Sequence, residues 1–305
     1  MVNYSTILVA GGSGFIGSNL IQELISQGYK VISISKNRTK IKKKIKNVTY
    51  IFQNLNKPIK KNLFSDKIDY IVNCSGYIDH RDLTKGGKQI FDNHFESIHS
   101  LVNLALDLKV KALINIGSSD EYGENKSPLK ETIRESPLSP YALGKLTATH
   151  YLQKCSKLGF LNTVTLRPFL VFGEMQNKDR FLPYLIDNCL NDREFKVTKG
   201  EQLRDYLYVK DFNKAVIKTF GNYKAYGEVI NVASGIPISI KEVITNVQII
   251  IGRGKPIYGG INYRKGESME LYANIEKAKK VLEWEPKYKF KESIKNVINW
   301  YRKHG

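Results

Sequence analysis

In the stretch SPYALGK, Tyr141 and Lys145 stand four residues apart, a spacing that on a helix sets a phenol and an ammonium on one face. A tyrosine titrates near ~10, so it is a poor base near neutral pH until a neighbouring cation and a positively charged nicotinamide favour its phenolate. Lys145 is such a cation. About twenty residues earlier, INIGSSDEYG ends an apolar run with the hydroxyls of Ser118 and Ser119. A hydrogen bond from Ser118 to the same substrate oxygen would complete a proton relay for interconverting an alcohol and a carbonyl beside a hydride acceptor. Taken alone, Tyr141 and Lys145 are equally an amphipathic pair on an exposed helix.

A site for the hydride acceptor stands near the N-terminus. In ILVAGGSGFIGSNL, Gly11, Gly14 and Gly17 separate an apolar strand from a helix, where missing side chains let backbone N–H groups approach a pyrophosphate. The turn as a whole, Gly11, Ser13, Gly14, Phe15, Ile16 and Gly17, is the expected cofactor cradle. The next strand, KVISIS, ends in Ser35 where an NAD site usually carries an acid for the ribose hydroxyl. Lys36 and Arg38 follow, and both can pair with a 2′-phosphate. The expectation is therefore NADP(H), with NAD(H) as the alternative; the other reading of Lys36 to Lys46 is a solvated loop that touches no cofactor.

The elements that must hold these residues follow a βαβ alternation: a strand Ile7 to Ala10, a helix about 15–27, strands at 31–34, 48–52 and 70–74, a helix about 90–108, a strand 112–116, a helix about 141–158 and a strand 163–166. This is the pattern of an α/β fold with a doubly wound parallel sheet, complete by Arg167-Pro168. Beyond it the elements shorten and Pro and Gly become frequent. Ser239-x-x-Glu242 is a capping box for a helix towards Ile251, and Pro286 closes a helical segment about 275–282. The division expected is a dinucleotide-binding domain over 1–168, with roughly 205–233 returning to it, and a smaller C-terminal α/β substrate lobe over 169–204 and 234–305.

At 305 residues and 42% hydrophobic, the chain can bury a real core. No apolar segment is long enough to span a bilayer, and nothing resembles a signal peptide. Cys74, Cys155 and Cys189 make neither a pairing framework nor a metal spacing, which suits a reducing cytoplasm. His80, His94, His99, His150 and His304 lack partners at ligand spacing, so no metal is expected and they are given surface or packing roles. The net charge of +19 is mostly lysine spread along the chain, which argues against a clustered nucleic-acid face. A cofactor sensor or basic scaffold remains the non-enzymatic alternative, but it has no need of the proton donor.

Glycine turn, hydroxyl-ended strand and Tyr-Lys helix, in that order, resemble the short-chain dehydrogenase/reductase superfamily, in its extended branch of nucleotide-sugar epimerases, dehydratases and reductases. The resemblance spans nearly the whole chain. NCSG at 73–76 is similar to the segment lining the cofactor, which implies contacts from Cys74, Ser75 and Gly76, and Asn93 resembles the family's structural asparagine. LRPFLVFGE at 166–174 resembles the lead into the substrate lobe. GEQLRDYLYVKD at 200–211 resembles the strand whose arginine grips the nucleotide diphosphate, so the resemblance implies phosphate contacts from Arg204 and, in YRKGESMELYANIEKAKKVLEWEP, from Arg264. The alternative for each arginine is a surface ion pair. The resemblance also implies a nucleotide-diphosphate sugar as substrate and a homodimer built on the helices near 90–108 and 141–158.

The residues after Ser118 bear on the reaction. Family dehydratases typically present Thr-Asp-Glu where this chain has Ser118-Ser119-Asp120, which weakens dehydration; SSDEYG is more like reductases of nucleotide-linked 4-keto-6-deoxy sugars. Ser119 is then a substrate contact, and Asp120 is an acid-base group, a polar residue hydrogen-bonded to the substrate, or a turn residue with no chemistry. An epimerase recycles its hydride and usually keeps NAD, whereas a reductase consumes NADPH. The leading expectation is therefore an NADPH-dependent reductase of a nucleotide-linked 4-keto-6-deoxyhexose in surface polysaccharide synthesis, with an NAD-dependent 4-epimerase or 4,6-dehydratase as the alternative. The loops 79–88 and 176–181 carry no readable motif.

Overall fold

The run Thr6 to Ala10 has no polar alternation, the pattern of a strand covered on both faces. A computed structural model describes residues 5–36, 44–79, 81–264 and 266–304 and buries every residue of this run. The chain forms β1 (Thr6–Ala10), α1 (Phe15–Ser26), β2 (Lys30–Ser35), β3 (Val48–Phe52), β4 (Tyr70–Asn73), α2 (Gly87–Leu108), β5 (Ala112–Ile116), α3 (Pro140–Lys157) and β6 (Thr163–Pro168). There follow β7 (Leu170–Phe172), α4 (Phe181–Leu190), β8 (Glu194–Val197), β9 (Leu203–Tyr208), α5 (Val209–Ile217), β10 (Val229–Val232), β11 (Pro237–Ser239), α6 (Ile240–Ile251), β12 (Lys255–Tyr258), β13 (Glu270–Leu271), α7 (Glu276–Leu282) and α8 (Phe290–His304).

Seven strands form one sheet in the order β10-β6-β5-β4-β1-β2-β3, each neighbouring pair parallel. Alternate residues of β1 feed two apolar layers. Ile7 and Val9 join Leu20 and Leu24 of α1 and Phe212 and Ala215 of α5, while Leu8 and Ala10 join Ile98 and Leu101 of α2 and Leu152 of α3. The strand order reverses between β1 and β4, and the strand ends beside such a switch point open the crevice where ligands bind in this architecture. The sheet is not complete at Arg167-Pro168, as the alternation alone suggests. Its seventh strand, β10, comes from the second half of the chain and sets Val229 opposite Thr165. A four-residue apolar run is too short to announce itself as a sheet member by periodicity.

A second, smaller sheet forms around β9, while α7 returns to the large sheet, where Ala278 and Leu282 join the layer of Ile7 and Val9. β9 pairs with β7, β11 and β13. Phe172, Tyr206 and Tyr208 share a core there with Leu185 of α4, Val243 and Val247 of α6, and Ile294, Val297, Ile298 and Tyr301 of α8. The α8 residues recur at i, i+3, i+4 and i+7, a helical stripe facing inward. Phe169 lies in a separate small cluster with Tyr122 and Leu129. No helix among the described residues is long and apolar enough to cross a membrane.

One carboxylate fastens the small sheet to the loops around it. Asp205, with no exposed surface, accepts hydrogen bonds from Ser234 N at 2.7 Å, Ser234 Oγ at 2.6 Å, Gly235 N at 2.9 Å and Ala273 N at 3.2 Å. Removing it leaves buried donors without acceptors. Asp205→Ala is expected to lower unfolding stability by about 3 kcal/mol in denaturant titration.

Candidate active site

The chain leaves β1 through Gly11, at φ +79°, where a Cβ would stand 2.7 Å from the Ser75 backbone. A Cβ on Gly17 would lie 2.4 Å from the Gly11 carbonyl oxygen. α1 then begins after Gly14 with no side-chain cap and no acid in its first turn. Its leading N–H groups and positive dipole end thus remain available to an anion, which fits the diphosphate of a dinucleotide. Phe15 and Ile16 turn their side chains into the apolar layers.

Ser35, 3% exposed, accepts a hydrogen bond from Ser13 N at 3.3 Å, so its hydroxyl braces the glycine turn. Lys36 is exposed beside it; Arg38 lies outside the described residues, as does His80. After β4, Ser75 N donates to Asn73 Oδ1 at 3.1 Å, and Gly76 takes φ +124° against His94. Burial pushes the Cys74 thiol up to about 12, with the Lys145 cation acting in the other direction. Asn93 on α2 bonds Asn56 and donates to the Tyr77 hydroxyl, tying the segment after β4 to that helix.

β5 delivers Ser118, and α3 delivers Tyr141 and Lys145. Ser139 caps α3 by accepting Ala142 N at 3.1 Å, and Pro140 occupies the first turn, where its missing N–H costs nothing. Ser118 Oγ accepts Asp120 N at 3.1 Å, leaving its O–H to donate, and it hydrogen-bonds the Tyr141 phenol. Tyr141 is almost wholly buried and its pKa is raised, first by desolvation, then by Asp120 and Glu121; the Ser118 hydrogen bond and Arg180 favour the phenolate. Arg180, on the loop before α4, has no sequence signal. Lys145 Nζ donates to the Ile116 carbonyl at 2.8 Å, and burial lowers its pKa against the pull of Glu121 and Cys74. Ser119 is buried in the turn following Ser118 and Asp120 is half-buried there.

The two arginines share one partner, Glu267, that the sequence does not single out. Arg204 Nη2 meets Glu267 Oε1 at 3.0 Å, and the other carboxylate oxygen accepts the Arg264 amide at 3.2 Å. The Arg204 side chain is largely buried, whereas Arg264 is exposed. Among the described residues no group of three or more His, Cys, Asp or Glu could hold a metal ion.

A family model, the NAD dependent epimerase/dehydratase family, matches residues 7–233. The chain belongs to that family. This epimerase/dehydratase-family chain is 30% identical to a Methanocaldococcus jannaschii protein named as a provisional UDP-glucose 4-epimerase, over 98% of its own length and 99% of the relative's. Its fold matches the UDP-glucose 4-epimerase of Thermotoga maritima, solved with UDP-glucose, at TM-score 0.87 and 25% identity over 98% and 99% of the two chains. It also matches the UDP-glucuronic acid 4-epimerase of Bacillus cereus, solved with UDP-glucuronic acid and NAD, at TM-score 0.89 and 25% identity over 98% and 100%. The leading expectations of a reductase and of NADP(H) find no support among these relatives. Ser35, where the absence of an acid begins the NADP(H) expectation, accepts the Ser13 amide.

His94, expected on the surface or in simple packing, lies buried with its ring edge-on to Tyr141 at 5.1 Å and Nε2 3.1 Å from the Tyr77 carbonyl. Burial and then Lys145 lower its pKa to about 3. An unfolded histidine binds a proton below about 6.5. Between that pH and about 3 the unfolded chain therefore holds a proton that the folded chain refuses, and stability falls as the pH falls. Unfolding measured from pH 7 to 5 is expected to show this loss, and His94→Leu to flatten it.

Proposed function

We propose that this chain is a nucleotide-sugar 4-epimerase that works by hydride removal and return with NAD as a recycled cofactor. The observation that carries the reading is the joining of Ser118, Tyr141 and Lys145 at the strand ends beside the glycine turn, in a chain whose full-length relatives bear 4-epimerase names. The nicotinamide, when bound, supplies the hydride acceptor and donor. Tyr141 takes the proton of the sugar's 4-hydroxyl and returns it to the 4-keto oxygen, and Ser118 donates to that oxygen in both directions. Lys145, fixed on the Ile116 carbonyl, stands one helical turn from Tyr141, on the face where the nicotinamide ribose would lie.

Gly11, Ser13, Gly14 and Gly17 hold the dinucleotide diphosphate by backbone, and Cys74, Ser75 and Gly76 line its other side. On the substrate, Arg204 and Arg264 take the nucleotide diphosphate, so Glu267 must yield Arg204 as the anion arrives. Asp120, beside Tyr141, is an acid-base or sugar-binding group, and Ser119 shapes the turn that carries it. α2 and α3 lie side by side with Leu106 and Leu143 partly exposed, the faces on which a homodimer would form.

A second reading keeps the same three residues but makes the net reaction the NADPH-dependent reduction of a nucleotide-linked 4-keto-6-deoxyhexose. It rests on the absence of an acid at Ser35 and Lys36. Mass spectrometry of the nucleotide released on denaturation separates the two. Retained NAD, with UDP-sugar interconversion and no net change in cofactor, is the expected result; NADPH consumed in step with a 4-keto sugar would establish the reductase instead. Tyr141→Phe is expected to lower kcat by about a thousandfold while bound cofactor stays at the wild-type level. Retention of most of the activity in that variant would remove the phenol from the mechanism.

A further inference from the structure

Glu121 has no exposed surface and lies where three elements meet beneath the catalytic set. Its Oε1 accepts the Ser118 amide at 2.8 Å. Its Oε2 accepts the Thr149 hydroxyl of α3 at 2.9 Å and Arg167 Nε of β6 at 2.8 Å. Space for the carboxylate exists because residue 117 is glycine: a Cβ there would stand 2.5 Å from Glu121 Oε1. Arg167, also without exposed surface, donates to Glu135 at 2.7 Å and lies 4.6 Å from the centre of the Tyr122 ring, whose hydroxyl donates to Asn231 at 2.7 Å.

A buried ion pair contributes little to stability relative to an apolar pair of the same volume, so its place in a fold is better explained by what it orients. Here it binds the amide of the serine and the helix of the tyrosine with one rigid group. Charge-assisted bonds to a carboxylate are shorter and more directional than neutral ones. We propose that Glu121 is a positioning residue for the reaction: it fixes the Ser118 turn against α3, and so the separation of the Ser118 hydroxyl from the Tyr141 phenol, while Arg167 holds the carboxylate in place. With no exposed surface, Glu121 acts through the Ser118 turn and α3. The inference rests on the proton-relay reading of Ser118 and Tyr141.

Two variants of the full chain test it. Glu121→Gln keeps an acceptor for the Ser118 amide but removes the charge; Thr149→Val cuts only the link to α3 and leaves the ion pair intact. In both, amide hydrogen exchange of residues 118–122 is expected to quicken by about tenfold while the sheet strands exchange as before. With a UDP-sugar, kcat should fall about 10- to 100-fold in Glu121→Gln and about three- to tenfold in Thr149→Val, with KM unchanged, the signature of an interaction felt in the transition state. Unchanged exchange in the turn, or full kcat despite faster exchange, would overturn the proposal. Should Glu121→Gln fail to fold, Thr149→Val decides alone. Exchange requires no substrate, so absence of turnover in the unaltered chain counts against the epimerase reading, and an unmoved turn counts against this one.

Discussion

No side chain fits where the chain leaves β1, and the site depends on that vacancy. The backbone of the glycine turn runs within van der Waals distance of the segment after β4, and the start of α1 runs equally close to the turn itself. Because Cβ atoms at Gly11 and Gly17 would collide with backbone, which cannot swing aside, these positions decide how near the helix N-terminus comes to the strand ends. That proximity aims unsatisfied N–H groups at the crevice of the sheet's switch point. Every later contact, from Cys74 to Lys145, is placed relative to it.

Around this crevice the polar groups work against one another by design of position. Tyr141 is disfavoured as a phenolate by burial and by two acids, and favoured by a serine hydroxyl and an arginine. Burial prevails, so this phenol holds its proton more tightly than a free tyrosine, and any further positive charge nearby would act in the opposite direction. His94, packed against the same ring, stays neutral and therefore adds bulk without charge. Lys145 is restrained by a backbone carbonyl and keeps its ammonium at a fixed height on the helix. The pocket thus separates orientation, which rests on buried hydrogen bonds, from charge, which the bound partners complete.

Much of the scaffold is legible in sequence. α1 and α3 fall within a residue or so of the periodic runs that announce them, and the strands β3 and β5 coincide with theirs, because apolar run length and turn residues are local signals. α8 passes unnoticed since its lysines and Glu292 dilute the stripe of Ile294, Val297, Ile298 and Tyr301. Within the site, Ser118, Tyr141 and Lys145 are found by spacing, but Glu121 is not. In SSDEYG it reads as one more turn acid, and only the depth of Gly117 and the approach of Arg167 from a distant strand make it a buried group. Arg180 and Glu267 escape for the same reason: their partners are remote in the chain. At Ser35 the sequence shows only that an acid is absent; that its hydroxyl accepts the Ser13 amide emerges from the fold.

The late arrival of β10 bears on how the chain is made. Until residues 229–232 have emerged, β6 is an unpaired edge of a parallel sheet, with Thr163 to Pro168 all buried in the finished fold. A nascent chain in which the glycine turn and α3 are already made must hold that edge open while β7, α4, β8, β9 and α5 are added. Long-range parallel pairing closes slowly, and an open apolar edge is a template for another chain. The interval between β6 and β10 is thus a stage of synthesis at which an apolar edge stands open to other chains. Chaperone demand should concentrate there, and a fragment ending just after β6 should be poorly soluble even though it holds Ser118, Tyr141 and Lys145.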